Sequence, residues 1–222
     1  LNNERFDDID LATNINPTKV KACLNNNNIK FYETGIEHGT ITANIEKTNF
    51  EITSLRKDVL TDGRHAIVEF GNDWSEDSLR RDFTINSIYA DKEGNLFDPH
   101  NGVKDLENGI VKFIGDPEKR IKEDYLRILR YVRFFLNYSK REHLLNIKKI
   151  IRQNINGVIN LSRERLLAEL KKILVSKGFT KLSRDEFCQE IILLIFPELK
   201  NLYIFKKLSQ YSKSIINKKD FV

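Results

Sequence analysis

Residues 4–14 read ERFDDIDLATN, three aspartates packed around a single isoleucine and followed by the apolar start of a new segment. Carboxylates this close repel one another, so their crowding needs a compensating partner. If the stretch is a β-strand, side chains two apart share a face: Asp8 and Asp10 point one way while Ile9 and Leu11 turn toward a core. A divalent cation between the two carboxylates would relieve the repulsion, and Mg²⁺ is commonly held by one or two carboxylates together with the phosphates of a nucleotide. The same residues also fit an acidic turn or a helix cap.

The segments that follow are strand-rich. Residues 39–55, GTITANIEKTNFEITSL, alternate Ile41, Ala43 and Ile45, pass a polar Glu46–Asn49 connection, and resume a β-rich run from Phe50 to Leu55. This predicts a hairpin with a four-residue connection. Glu51 lies in its second strand, facing opposite to Ile52, where it is either a third metal-binding carboxylate or a solvent-facing glutamate. PTKVKACL (17–24) predicts a short helix with Pro17 in its first turn. RHAIVEFG (64–71) predicts another strand, and 101–117 a loop carrying one short strand. The Asn25–Asn28 run is read as a loop, and no internal repeat is present.

The period changes after residue 111. Asp116-Pro117 is a helix start, a capping residue followed by proline at the first helical position. Tyr125, Ile128, Leu129, Val132 and Phe135 then recur at helical spacing. On the same helix Asp124, Arg127, Arg130 and Arg133 recur every third residue, predicting a polar ridge beside the apolar face. Such a ridge presents acceptors and donors to a base edge, or forms ordinary surface pairs such as Glu123 with Arg127. LSRERLLAELKKIL (161–174) and FCQEIILLIF (187–196) predict two further helices. In residues 76–91, the neighbouring Arg80 and Arg81 suit phosphate or ribose oxygens, or a salt-bridge network with Asp82 at a helix start.

Charge divides the chain at the same place. Residues 1–111 hold 12 Lys and Arg against 20 Asp and Glu, whereas residues 112–222 hold 25 against 12. An acidic half suits cation-dependent chemistry and a basic half suits a polyanion, with plain surface solvation as the alternative for each. No apolar stretch reaches the roughly 20 residues of a membrane helix. The polar start does not resemble a secretion signal. Cys23 and Cys188 lack metal-ligand spacing and are expected to remain reduced thiols in a cytoplasmic protein. The four histidines share no ligand spacing and are read as structural. No phosphate-binding glycine loop, zinc pattern or nucleophile elbow occurs. The chain starts at Leu1 and contains no methionine, which leads us to expect a piece of a longer protein.

Taken in order, DDIDLATNINP, GIEHGTITANI, FEITSLRKD, DGRHAIVEFG, RRDFTINSIYAD, FDPHNGVKDL, EDYLRILRYVRF and LSRERLLAELKKIL resemble the successive motifs of the class II tRNA nucleotidyltransferase and poly(A) polymerase family, over about residues 5–174. The resemblance implies an α+β, polymerase-beta-like nucleotidyltransferase head with a small mixed sheet (1–111), an all-helical neck (112–175) and the start of a helical body (176–222). It implies Mg²⁺-dependent, template-independent nucleotide addition to an RNA 3′ end. Carried over by position, Asp8 and Asp10 hold the metal and Glu51 joins them as a catalytic carboxylate. Arg81 contacts the nucleotide, Asp124 and Arg127 read the base of CTP or ATP, and Arg130 and Arg133 support phosphates or the site. The implied partner is the acceptor arm and 3′ end of tRNA, with no membrane and no protein partner.

GIEHGTITANI is similar to the CCA-adding type, since poly(A) polymerases tend to carry a more basic stretch there. Residues 54–78 resemble the flexible loop linked to switching from CTP to ATP. The family places a Gly-Gly-x-Val-Arg-Asp segment before the paired aspartates, where this sequence has LNNERF. The head is therefore expected to be truncated at its N-terminus. A poly(A) polymerase and a noncatalytic RNA-binding relic are the alternatives.

Overall fold

The computed structural model describes residues 9–61 and 66–199. Its contacts divide the chain into two compact units, Leu1–Arg81 and Asp82–Val222.

The first unit is built on a four-stranded mixed sheet in the order β1-β4-β3-β2, formed by β1 (Asp10–Thr13), β2 (Lys30–Gly35), β3 (Thr40–Ile45) and β4 (Thr48–Ser54). β1 runs parallel to β4, and the other neighbours are antiparallel. Helix α1 (Pro17–Asn26) begins as its sequence dictates, with Asn16 accepting the Lys19 N–H at 2.9 Å and proline in the first turn. It seals one face of the sheet, with Val20 and Leu24 buried against Ile41 and Ala43. The β3–β4 connection is shorter than its polar composition suggested. β4 begins at Thr48, and Glu46 and Lys47 alone make the turn, both at positive φ (50° and 67°). Two left-handed residues give the tight turn whose twist matches paired strands.

A second hairpin, β5 (Arg56–Thr61) with β6 (Ala66–Phe70), is followed by α2 (Trp74–Leu79). Asp73 caps α2 through the Ser75 and Glu76 N–H groups. The buried carboxylate of Asp77, on this helix, accepts the Arg56 backbone N–H at 3.1 Å and so ties α2 to the hairpin.

The second unit opens with a small β7 (Tyr89–Ala90) and β8 (Leu96–Phe97) pair and α3 (Gly102–Glu107). The sequence suggested a loop with one short strand for 101–117. Instead Asp98 accepts the Gly102 and Val103 N–H groups and starts a helix despite the local glycines and asparagines. Then come α4 (Pro117–Glu123), α5 (Leu126–Tyr138), α6 (Leu145–Asn154), α7 (Arg163–Val175), α8 (Phe179–Leu182) and α9 (Glu186–Ile195). Helix α5 is the axis of the core. Ile128, Leu129 and Val132 are fully enclosed, and Tyr131, Phe134 and Phe135 are nearly so.

Asp124 does not belong to the α5 helix. Its backbone is extended (φ −152°, ψ 106°), so α4 and α5 are separate helices that break at this residue. The following Tyr125 is pinned by Gly157, where an added Cβ would stand 2.1 Å from the Tyr125 ring.

Candidate functional site

Two groups of polar residues stand out, one in each unit. In the first unit, strand register aligns a row across the sheet: Asp10 opposite Glu51, Glu51 opposite Thr42, and Thr42 opposite Tyr32. Residues opposite one another in a sheet share a face, and this row alternates with the positions covered by α1. Asp10 and Glu51 are both exposed, so two like charges face each other on adjoining strands. Directly opposed like charges destabilise a sheet unless something compensates. An oxygen-only donor pair of this kind suits a hard divalent cation such as Mg²⁺, so the residues fit the ion that the sequence implies. Asp8 lies outside the described residues.

Arg81 sits at the end of this unit, half-buried, with its guanidinium 3.6 Å from the Asp77 carboxylate; Arg80 also pairs with Asp77, at 2.9 Å. The two arginines are therefore oriented by a buried acid on the preceding helix. Asp82, which the sequence suggested as their partner, turns elsewhere.

In the second unit Asp82 is bound by two arginines of α5. Arg127 Nε donates to one carboxylate oxygen at 2.8 Å, and Arg130 Nε donates to the other. Against the upward pull of burial, the charges of Arg130 and Arg127 hold the Asp82 carboxyl below the usual range. Arg127 is held further by the Glu123 carboxylate and the Arg120 carbonyl, both bound through Nη1 at 2.6 Å. Despite its burial, the Glu123 and Asp82 carboxylates hold its guanidinium above the ordinary arginine value.

The helix break presents Asp124 beside this cluster. One of its carboxylate oxygens accepts the Leu126 N–H at 3.1 Å, and the other accepts from Arg165 Nη2 at 2.7 Å. Arg165 and Glu169 lie one turn apart on α7 and share a face. Glu169 takes Arg133, so α7 grips both ends of the sequence-predicted ridge.

The ridge thus resolves into three differently held parts: Asp124 with Arg165, Arg127 and Arg130 with Asp82, and Arg133 with Glu169. Glu123 with Arg127 is the i,i+4 pair the spacing allowed. Sequence reasoning did not single out Asp82, Arg165 or Glu169 as site residues. Their partners lie 36 to 48 residues away along the chain, and only the charged pattern RRD and the SRER start of α7 hinted at them.

A small mixed sheet with opposed carboxylates, followed by helices, is the polymerase-beta-like nucleotidyltransferase head with the helical segments that succeed it. Residues 1–112 match the poly A polymerase head domain, and the chain belongs to that family. It is 48% identical over 178 residues to the human mitochondrial CCA tRNA nucleotidyltransferase 1, a match covering 79% of this chain and 41% of that protein. A CCA-adding enzyme of Staphylococcus haemolyticus is 38% identical over 185 residues, covering 82% of this chain and 44% of the relative. The crystal structure of the Bacillus stearothermophilus CCA-adding enzyme in complex with CTP superposes with a TM-score of 0.70 at 27% identity, over 86% of this chain and 49% of that one. The chain thus spans less than half the length of these relatives.

The Asp82 cluster carries a pH signature. A carboxyl whose folded pKa is depressed stabilises the fold above its unfolded value, near about 4, and that contribution is lost as pH falls through the folded value. Asp82→Asn is expected to cost about 3 kcal/mol at neutral pH, because it removes the negative charge shared by Arg127 and Arg130 and turns an amide N–H group toward one of the two guanidinium groups. It should also flatten the acid limb of stability. Urea unfolding from pH 7 down to pH 3 measures both effects.

Proposed function

We propose that this chain carries the catalytic head and the base-reading neck of a CCA-adding tRNA nucleotidyltransferase. The reaction is template-independent transfer of CMP and AMP from CTP and ATP to the 3′ end of tRNA, with release of pyrophosphate. The observation that carries the reading is the Asp124–Arg127 arrangement at the helix break, an anchored acceptor beside an anchored donor, in a chain 48% identical to such an enzyme.

The chemistry follows from hydrogen-bond polarity. Cytosine and adenine each offer an amino donor next to a ring-nitrogen acceptor on the Watson–Crick edge, whereas uracil and guanine offer the reverse order. A carboxylate acceptor beside a guanidinium donor therefore accepts C and A and rejects U and G without any nucleic-acid template. Asp124 retains lone pairs beyond those already used. The bonds holding Arg127 use Nε and Nη1, and Nη2 carries two further N–H donors. Because both groups are already fixed, little side-chain entropy is lost on reading the base.

Asp8 and Asp10, with Glu51 alongside, would hold Mg²⁺. A divalent ion there supplies a lowered pKa for the attacking 3′ hydroxyl and neutralises charge on the departing pyrophosphate. Arg81, oriented by Asp77, binds the nucleotide, while Arg130 and Arg133 hold the site's shape or meet phosphates. We assign residues 1–111 to the head, 112–175 to the neck and 176–222 to the start of the tRNA-binding body. The basic surface after residue 111 grips the acceptor arm, so binding should weaken steeply with salt. The free thiols of Cys23 and Cys188 suit a reducing, cytoplasmic setting. No helix among the described residues is long and apolar enough to cross a membrane.

Incorporation assays separate the two roles. Asp10→Ala is expected to lower CMP and AMP incorporation at least roughly a hundredfold while tRNA binding is retained. Asp124→Ala should instead relax discrimination of CTP and ATP from UTP and GTP. An Asp10→Ala enzyme as fast as the parent would remove the metal assignment, and unchanged nucleotide preference in Asp124→Ala would remove the base-reading assignment.

A further inference from the structure

Beyond the C-terminal end of α5, three side chains outside the proposed reaction converge. His143 comes from the loop after α5, Asp185 caps α9, and Cys188 lies in the first turn of α9. The His143 Nε2 stands 3.0 and 3.1 Å from the two Asp185 carboxylate oxygens and 3.7 Å from Cys188 Sγ. One ligand atom from each residue lies within 4.8 Å of the others. We propose that His143, Asp185 and Cys188 form a binding site for a borderline-soft divalent cation, of the zinc or cobalt class, that clamps the 139–144 loop to the start of α9.

The spacing suits one tetrahedral ion. With metal–ligand bonds of about 2.0–2.3 Å, ligand atoms stand roughly 3.3–3.7 Å apart. The His143–Cys188 separation already has that value, and the His143–Asp185 separation opens by a few tenths of an ångström. Asp185 Oδ1 accepts the Cys188 N–H at 2.8 Å and so caps the helix, leaving Oδ2 to face the ion. The other imidazole nitrogen, Nδ1, is 3.0 Å from the Tyr131 hydroxyl, the kind of outer partner that fixes ring orientation in metal-binding histidines. Phe135 stacks on His143, and the Phe187 ring meets it edge-on, so the imidazole has a defined plane in an apolar surround.

Charge supports the same assignment. One thiolate, one carboxylate and one neutral imidazole neutralise a divalent cation, which suits a site where Cys188 is fully enclosed. Without an ion, burial pushes the Cys188 thiol well above its ordinary value. Binding therefore releases the thiol proton to solvent as the sulfur–metal bond forms. Asp185 is the most exposed of the three, at 21%, and opens the fourth position to water. A nitrogen, oxygen and sulfur donor set selects against Mg²⁺, which takes oxygen ligands.

The test is cobalt titration of the whole chain after chelator treatment. About one equivalent of Co²⁺ should produce a thiolate-to-cobalt charge-transfer band with the visible bands of a tetrahedral ion, and Zn²⁺ should bleach both. The spectrum should survive Cys23→Ser and be lost in Cys188→Ser. Tyr131→Phe keeps all three ligands and should weaken binding about tenfold, giving a readout if Cys188→Ser fails to fold. Absence of a thiolate band at saturating Co²⁺ in the parent chain would overturn the proposal. So would a band that persists unchanged in His143→Gln, or one that disappears with Cys23→Ser.

Discussion

The Asp82 carboxylate, held between Arg127 and Arg130, is the constraint on which the helical unit's working surface depends. Each partner is anchored independently. The Asp82 carbonyl accepts the Ile114 N–H, the Thr84 N–H binds the Lys112 carbonyl, and Phe83 between them is fully buried against Phe113 and Phe134. The acid is thus presented from a fixed bridge, and α5 can meet it in only one rotation. Buried ion pairs contribute little net stability, because desolvation consumes most of the attraction. Their value here is orientational: breaking the pair would leave charges in a half-buried site, so alternative rotations of α5 are penalised.

The same logic extends to α7. Its Ser162 cap and the Arg165–Asp124 and Glu169–Arg133 pairs register that helix against the α4–α5 break and against α5 itself. Asp124 owes its position to backbone as much as to charge. A helical Asp124 would continue the three-residue ridge, but the extended conformation aims its carboxylate at Arg165 and the Leu126 N–H. Gly157 allows Tyr125 to close against the Ile155–Asn160 turn, and any side chain there would displace the junction. The base-reading role proposed for this surface needs such rigidity, because a loosely held carboxylate accepts from any neighbouring donor.

Much of this was legible in the sequence wherever local rules decide. The apolar period of α5, the Asp-Pro start of α4, the Pro17 start of α1 and the alternation of β3 all encode their elements through short-range sterics and capping. The family motifs supplied the order of the parts. What was illegible is non-local or runs against propensity. Nothing near Asp124 announces a break, since neither glycine nor proline marks it. Glu46 and Lys47 turn the chain at positive φ although neither residue favours it, so the connection read as longer than it is. The partner of Asp82 lies on a helix beginning over forty residues later, and the neighbouring arginines were the more obvious choice. His143 and Cys188 were read as unrelated, because ligands drawn from a loop and a distant helix leave no spacing to recognise.

In the proposed function the base is read by side chains already locked in place. A crystal structure with bound CTP tests this reading. The Asp124 carboxylate and the Arg127 guanidinium should both lie within hydrogen-bonding distance of the cytosine edge, with the Asp82–Arg127 and Asp124–Arg165 bonds intact. A cytosine edge bound by other residues, or Asp82 released from Arg127 on nucleotide binding, would contradict it.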